Sequence, residues 1–242
     1  MHTPEETGTE PSRPRSPRGQ GERLRRDVLD AVNRVLVRDG GEKLTMRAVA
    51  REAGVTAPSI YLHFTDKADL VWAALTDKYA QLAAEMDQAD IAAATRSTDD
   101  LVQSARLRLQ AQMHAYVRFA VTNPGHYRLM FEIRQPSVST ERAVAHPSRL
   151  VSSSLREAVA RCAEAGAMLR LPRRALAHTL WSTMHGLVSL NHSLGIDDAE
   201  DLARRCADDV LDSLIPPDEP AFEPPDSLVE RAIREVIEPR TS

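Results

Sequence analysis

The segment between residues 45 and 67, TMRAVAREAGVTAPSIYLHFTDK, constrains the fold more tightly than any other part of the 242-residue chain. Thr45 is a natural N-cap, and Met46, Val49, Ala50 and Ala53 recur at the spacing of one helix face. Gly54 then ends the helix, because glycine enters the left-handed conformation without steric strain. Val55 is placed to pack back into the angle between this helix and the next. Thr56 caps the second helix, and Pro58 is tolerated because its missing N–H falls in the first turn, where donors lack intrahelical partners. Ser59, Ile60, Tyr61 and His63 fill that helix, Phe64 ends it, and Asp66 caps another.

Two short helices joined in this way form a helix-turn-helix, whose second helix enters the DNA major groove. The individual residues say more. Leu44, Thr45, Ala50, Ala53, Gly54, Val55, Tyr61, His63, Phe64 and Lys67 resemble the DNA-binding domain of the TetR family of bacterial transcriptional repressors, without a gap from 44 to 70. Thr45 and Arg47 sit at a helix N-terminus, where free N–H groups attract a phosphate. Tyr61, His63 and Lys67 sit at the far end, within reach of backbone oxygens. The resemblance implies phosphate contacts at these five positions and base contacts from Thr56, Ala57, Pro58 and Ser59. None of those four is Arg, Asn or Gln, so no bidentate base contact is available there. Readout then falls to thymine methyls against Ala57 and Pro58, to hydroxyls, to DNA shape or to an N-terminal arm.

The charge distribution agrees. Residues 13–67 carry 12 Lys/Arg against 7 Asp/Glu, a net of +5, while the whole chain is −4, so the remainder carries −9. A basic module on an acidic body suits a partner that is double-stranded operator DNA. Alanine, leucine and arginine are abundant and glycine is scarce, at 10 residues, so the chain is expected to be all-α. The two cysteines, Cys162 and Cys206, lack metal-ligand spacing and read as small buried residues. No apolar run reaches the ~18 residues of a membrane span, and the first residues lack the apolar core of a signal peptide, so a cytoplasmic location is expected. GxSxG, Walker A, GxGxxG, HExxH and paired-Cys motifs are absent, so neither an enzymatic activity nor a cofactor is expected.

The chain divides into four parts. Residues 1–21 are rich in Pro, Gly, Ser and charge and are expected to be a disordered tail. Residues 22–67 form the helix-turn-helix domain, opened by a helix at 22–38. Residues 68–215 are expected to be helical, and the resemblance implies that they form an effector-binding and dimerisation domain. It is expected to hold a helix from 66 to about 87 that links the two domains, a loop at 92–100, and a helix at 100–122 broken by Asn123-Pro124-Gly125. A short helix carrying Tyr127, Met130 and Phe131, a loop at 134–145 and helices near 147–166, 172–194 and 199–215 follow. Residues 216–242 are a proline-rich linker and a last amphipathic helix in which Ser227 and Glu230 form a capping box.

A second set of residues, Trp181, His185 and Gly186 with the run 123–131, resembles the C-terminal domain of a TetR subfamily marked by tryptophan, histidine and glycine. The resemblance implies a homodimer joined through four helices, two from each subunit. The apolar stripes at 172–194 and 199–215 agree, and point to Leu180, Met184, Leu187, Val188, Cys206, Val210 and Leu214 as interface residues. A small-molecule effector is expected against Met113, Tyr116, Phe119, Tyr127, Met130, Phe131, Trp181 and His185, an apolar and aromatic set with a few polar handles. His178, His185 and His192 repeat every seven residues, but two turns (~10 Å) separate neighbours, too far to share a metal ion. The reading is a ligand-released repressor, acting through the linking helix; the alternative is a DNA-binding regulator without a small-molecule switch.

Overall fold

The computed structural model describes residues 18–96, 98–132, 146–194 and 199–217, and these residues form an all-helical chain. The expected tail up to residue 17, the loop at 134–145, and the linker and final helix from 218 onward lie outside the described residues.

The head contains α1 (Arg18–Asp39), α2 (Met46–Glu52) and α3 (Ala57–Tyr61). Val28, Leu29, Ala31, Val32, Val35 and Leu36 of α1 are buried against Met46, Val49 and Ala50 of α2 and against Ile60 and Phe64. Each fully buried aliphatic side chain stabilises the head by about 1.5–3 kcal/mol relative to leaving it exposed. Helix α1 begins at Arg18, earlier than expected and within the segment read as tail. Extending an existing helix is far easier than nucleating one. The first turns of this helix pass close to His63, whose Cε1 lies 3.7 Å from where a Cβ on Gly21 would be, an ordinary contact distance.

Helix α4 (Lys67–Ala94) runs from head to body over 28 residues, about 42 Å at 1.5 Å per residue. It passes the end expected near 87 and takes in residues 92–94. These are three alanines, the strongest helix formers, and they outweigh the polar residues that follow. Asp90, in the same extension, accepts from Arg108 at 2.6 Å and from Arg161 at 2.7 Å, fastening the end of α4 to two other body helices.

The body is completed by α5 (Leu101–Thr122), α6 (Pro124–Tyr127), α7 (Arg149–Glu164), α8 (Arg173–Leu194) and α9 (Ala199–Leu214). Asp100 caps α5, accepting from the N–H groups of Val102 and Gln103. Helix α6 continues into a π turn, Arg128–Glu132, whose extra residue per turn re-aims the side chains on it. Helix α5 lies at the centre, against α4, α7, α8 and α9. The Arg106 guanidinium, buried on α5, donates to the Ile215 carbonyl at 3.1 Å, closing the end of α9 onto the body.

Candidate DNA interface and effector site

The geometry of the helix-turn-helix follows from its caps. Thr45 is extended, and its Oγ1 accepts from the Ala48 N–H at 3.1 Å. Gly54 has φ 69°, the left-handed value that lets the chain reverse between α2 and α3. Val55 packs partly buried in the angle, and its N–H donates to the Ala50 carbonyl at 3.0 Å. Thr56 takes the extended N-cap conformation, but its hydroxyl pairs with that of Ser59 at 2.8 Å instead of a backbone N–H.

Helix α3 ends at Tyr61, short of the expected end at Phe64, so His63 lies in the turn after it. The cap of the next helix leaves no room. The Asp66 carboxylate accepts from the Asp69 N–H at 2.8 Å, and Asp69 accepts in return from the Thr65 N–H at 2.9 Å. Phe64 is buried beneath the Arg25 guanidinium, 5.6 Å from its ring centre, and serves packing.

Thr45, Arg47, Thr56, Pro58, Tyr61 and Lys67 are exposed together on the head, with Ala57, Ser59 and His63 half-buried beside them. Arg47 and Lys67 make no ion pair among the described residues. Two of the head's acidic groups, Glu52 and Asp39, are paired with other arginines. Glu52 bonds Arg38 and Arg34, which hold its carboxyl below the usual carboxylate range, and Asp39 is held low by Arg38. One residue of this surface escaped the sequence reading. Leu62 is 83% exposed, on the same outward side as Pro58 and Tyr61. Its spacing of four from Pro58 was the available signal.

In the body, the expected effector residues converge. Met113, Tyr116 and Phe119 of α5, Tyr127 of α6, and Met130 beyond it are buried, and Phe131, Trp181 and His185 are half-buried. Tyr127 stacks on His185 with ring centres 5.3 Å apart, and Phe131 lies 4.4 Å from the same imidazole. Burial pushes the Tyr116 phenol well above its ordinary range, with Tyr127 adding to the effect. The Tyr116 hydroxyl and the Trp181 indole N–H, though close to one another, make no hydrogen bond of good geometry among the described residues. Burial pulls the His185 imidazole below its ordinary range, so the ring is neutral at pH 7. The ring set also reaches α4, where Tyr79 packs edge-on to Phe131 at 6.2 Å and to His146 at 5.8 Å. The seven-residue histidine repeat has ordinary neighbours here: His178 edges Trp181, and His185 and His192 both contact Tyr127.

The body touches the head through α6 as well as through α4. The Arg128 guanidinium donates to the Val37 carbonyl at 3.2 Å and to the Leu36 carbonyl at 3.4 Å, at the C-terminal end of α1. Gly125 lies so close to α1 that a Cβ would overlap Asn33 and Val37. His126 beside it stacks on Phe119 at 5.5 Å and is pulled down to about 4 by burial, with Lys78 adding to the effect.

The expected interface residues separate into two groups. Leu180, Met184 and Val188 are fully buried within the chain itself. They hold α8 to its own body and present nothing to a partner, because the wide apolar stripe read from the sequence covers both the inward face and part of the outward one. Leu187, Cys206, Val210 and Leu214 are partly exposed. Leu190 at 58%, Leu194 at 67% and Leu202 at 39% extend that outward apolar surface across α8 and α9.

A three-helix head with this turn, joined by one long helix to an α-helical body, defines a helix-turn-helix regulator. The family profile described as "Bacterial regulatory proteins, tetR family" matches residues 28–74, and that of the "Tetracyclin repressor-like, C-terminal domain" matches residues 109–214. The chain belongs to the TetR family of transcriptional regulators. It is similar to the HTH-type transcriptional regulator Rv1816 of Mycobacterium tuberculosis, 29% identical over 111 residues, which are 46% of this chain and 44% of that protein. It is also similar to the HTH-type transcriptional activator FasR of Mycolicibacterium smegmatis, 33% identical over 141 residues, 55% of this chain and 60% of that one. The match thus spans about half the length of these relatives. Among solved structures, the fold resembles that of the transcriptional regulator FadR from Bacillus subtilis in complex with stearoyl-CoA. The TM-score is 0.65 at 16% identity, covering 78% of this chain and 98% of that one. Among the described residues, no helix is long and apolar enough to cross a membrane.

Proposed function

We propose that the chain acts as a homodimeric repressor that binds operator DNA through its head and is released by a small, mainly apolar or aromatic effector bound in the body. The observation that carries this reading is the placement of the aromatic set. Tyr127, Phe131 and His185 pack together, and the short helix that holds Tyr127 also touches α1 of the head through Gly125 and Arg128. A ligand that moves the rings therefore acts on α6 and on Tyr79 of α4 together, and both lead to the head. The rings are neutral, which favours an effector whose buried part is uncharged. The FadR structure of similar fold was solved in complex with stearoyl-CoA, which supports an effector that carries an apolar part.

On the DNA, Arg47, Lys67 and the hydroxyls of Thr45 and Tyr61 supply grip, and the outward side of α3 supplies choice. One head binds weakly, and two in one dimer bind by effective concentration. The two α3 helices must then sit about one turn of DNA apart, ~34–36 Å. Repression results where the operator overlaps a promoter.

The test uses DNA from upstream of the protein's own coding sequence. With about six charged phosphate contacts per dimer, log K falls against log salt with a slope of about −5. Lys67→Ala flattens that slope and lowers affinity for all sequences. A thermal-shift screen of neutral aromatic compounds and long-chain acyl thioesters then yields a ligand that raises the melting temperature and lowers operator affinity together. A tenfold release needs ~1.4 kcal/mol of coupling, and operator DNA weakens that ligand by the same factor. Salt-independent DNA binding removes the first half of the reading. Ligands that stabilise the body without changing DNA affinity remove the second.

A further inference from the structure

The outward side of α3 is apolar where a base reader is ordinarily forked and polar. Ile60 and Phe64 point into the head and are buried, which turns Pro58, Tyr61 and Leu62 outward at i, i+3 and i+4. Leu62 is the most exposed large hydrophobic residue described, at 83%, and none of the described residues covers it. A leucine so placed does not stabilise the head. Thr45, Arg47 and Lys67, exposed on the same module, have the chemistry of phosphate contacts and fix which surface meets the duplex. Residues 56–59 offer no Arg, Asn or Gln, and the Thr56 and Ser59 hydroxyls are 2.8 Å apart, bonded to each other.

From this we infer that Leu62, with Pro58, is a specificity-determining residue that reads thymine 5-methyl groups in the major groove. The inference rests on the DNA-binding reading above and adds what the head chooses. The 5-methyl is the one apolar group that a base pair displays in that groove, and the minor groove does not show it. A side chain without polar atoms discriminates there by burying methyl area and by leaving the N4–H donor or O6 acceptor of a G·C pair without a partner. The operator half-site therefore carries thymine where Leu62 lies.

The experiment starts by selecting duplexes from a random pool with the full-length protein. If no sequence is enriched, the DNA-binding reading fails, and this inference falls with it. With an enriched duplex in hand, each thymine is replaced by deoxyuridine, which removes only the methyl, one symmetric pair at a time. At one or two positions per half-site the unaltered protein loses about fourfold in affinity per methyl. Leu62→Ala binds thymine and uracil equally at one of those positions. Lys67→Ala, weaker on every duplex, keeps the full thymine preference. At the Leu62 position, 5-methylcytosine binds better than cytosine for the unaltered protein and not for Leu62→Ala. Leu62 is exposed, so the variant keeps its fold, and an unchanged melting temperature checks that. Uracil losses that are the same in Leu62→Ala as in the unaltered protein overturn the inference, as does a selected site at which no methyl matters.

Discussion

The Tyr127 hydroxyl lies 2.9 Å from Nδ1 of His185 and donates to the carbonyl of the same residue at 3.1 Å. One phenolic proton can serve only one of these bonds. With the hydroxyl proton on the carbonyl, Nδ1 carries the ring proton and donates it to the phenol oxygen. The contact ties α6 to α8 in the middle of the aromatic set. Tyr127→Phe keeps the ring and removes both bonds, leaving a half-buried N–H without its partner. A stability loss of about 1–2 kcal/mol is expected, read from urea unfolding, with ligand-free DNA affinity unchanged within twofold. A variant as stable as the parent means that the bond contributes nothing to the body.

Gly125 sets the distance between α6 and α1. A methyl there overlaps the side chains of Asn33 and Val37. The Asn33 Oδ1 and the neighbouring His126 Nδ1 are already buried without hydrogen-bond partners among the described residues, so this contact has little polar support. Gly125→Ala should lower stability by about 1–3 kcal/mol, as overpacking does. Adding Asn33→Ala and Val37→Ala should recover part of the loss. Unfolding curves of the three proteins decide it: a single variant as stable as its parent shows that α6 can shift without strain.

The head was legible because its signals are local. Thr45, Gly54, Thr56 and Asp66 each act on their own turn, and all four take the expected conformations. The same locality misled at the ends: Asp66 caps α4 so early that α3 stops at Tyr61, and the alanines at 92–94 carry α4 beyond its expected loop. The body was legible in its helices and less so in its faces. Periodicity marks an apolar stripe but cannot say which neighbour covers it, so Leu180 and Leu187 read alike, although only Leu180 is fully buried within the chain. The contact of Gly125 with Asn33 joins residues 92 apart in sequence, and no local pattern records it.

His126 makes stability depend on pH. Its imidazole, at about 4 when folded, lies below the ordinary 6.5 because burial, and then Lys78, disfavour the charged form. The unfolded chain therefore binds the extra proton first as pH falls. Stability from this group is complete above pH 6.5 and is lost progressively down to about pH 4. His146 and His185, also lowered by burial, act with the same sign. The His126 share is roughly 1–2 kcal/mol once solvent screening of the ring edge is allowed for. Urea unfolding at pH 7.5 and pH 5 measures the difference, and His126→Phe should reduce it. A variant with the same pH dependence as its parent assigns the effect to the other histidines.

The outward leucines of α8 and α9 separate a dimer surface from a core. Leu190 and Leu202 are exposed in the single chain, so a charge at either has little effect on the fold of one protomer, within about 0.5 kcal/mol. If a second copy covers them, as the proposed homodimer requires, the same charges become buried and unpaired, costing several kcal/mol per interface. Leu190→Glu with Leu202→Glu should therefore sediment as a folded, helical monomer, and its DNA affinity should drop because the two heads are no longer linked. Leu187→Glu and Val210→Glu, at half-buried positions, should do the same with some loss of protomer stability. Leu180→Glu differs in kind. It places a carboxylate where the side chain is fully buried within its own chain, so that variant should lose helicity altogether. The contrast makes the measurement decisive: ultracentrifugation reports assembly, and circular dichroism reports folding. A Leu190/Leu202 variant that stays dimeric and binds DNA normally moves the interface to another face of the body.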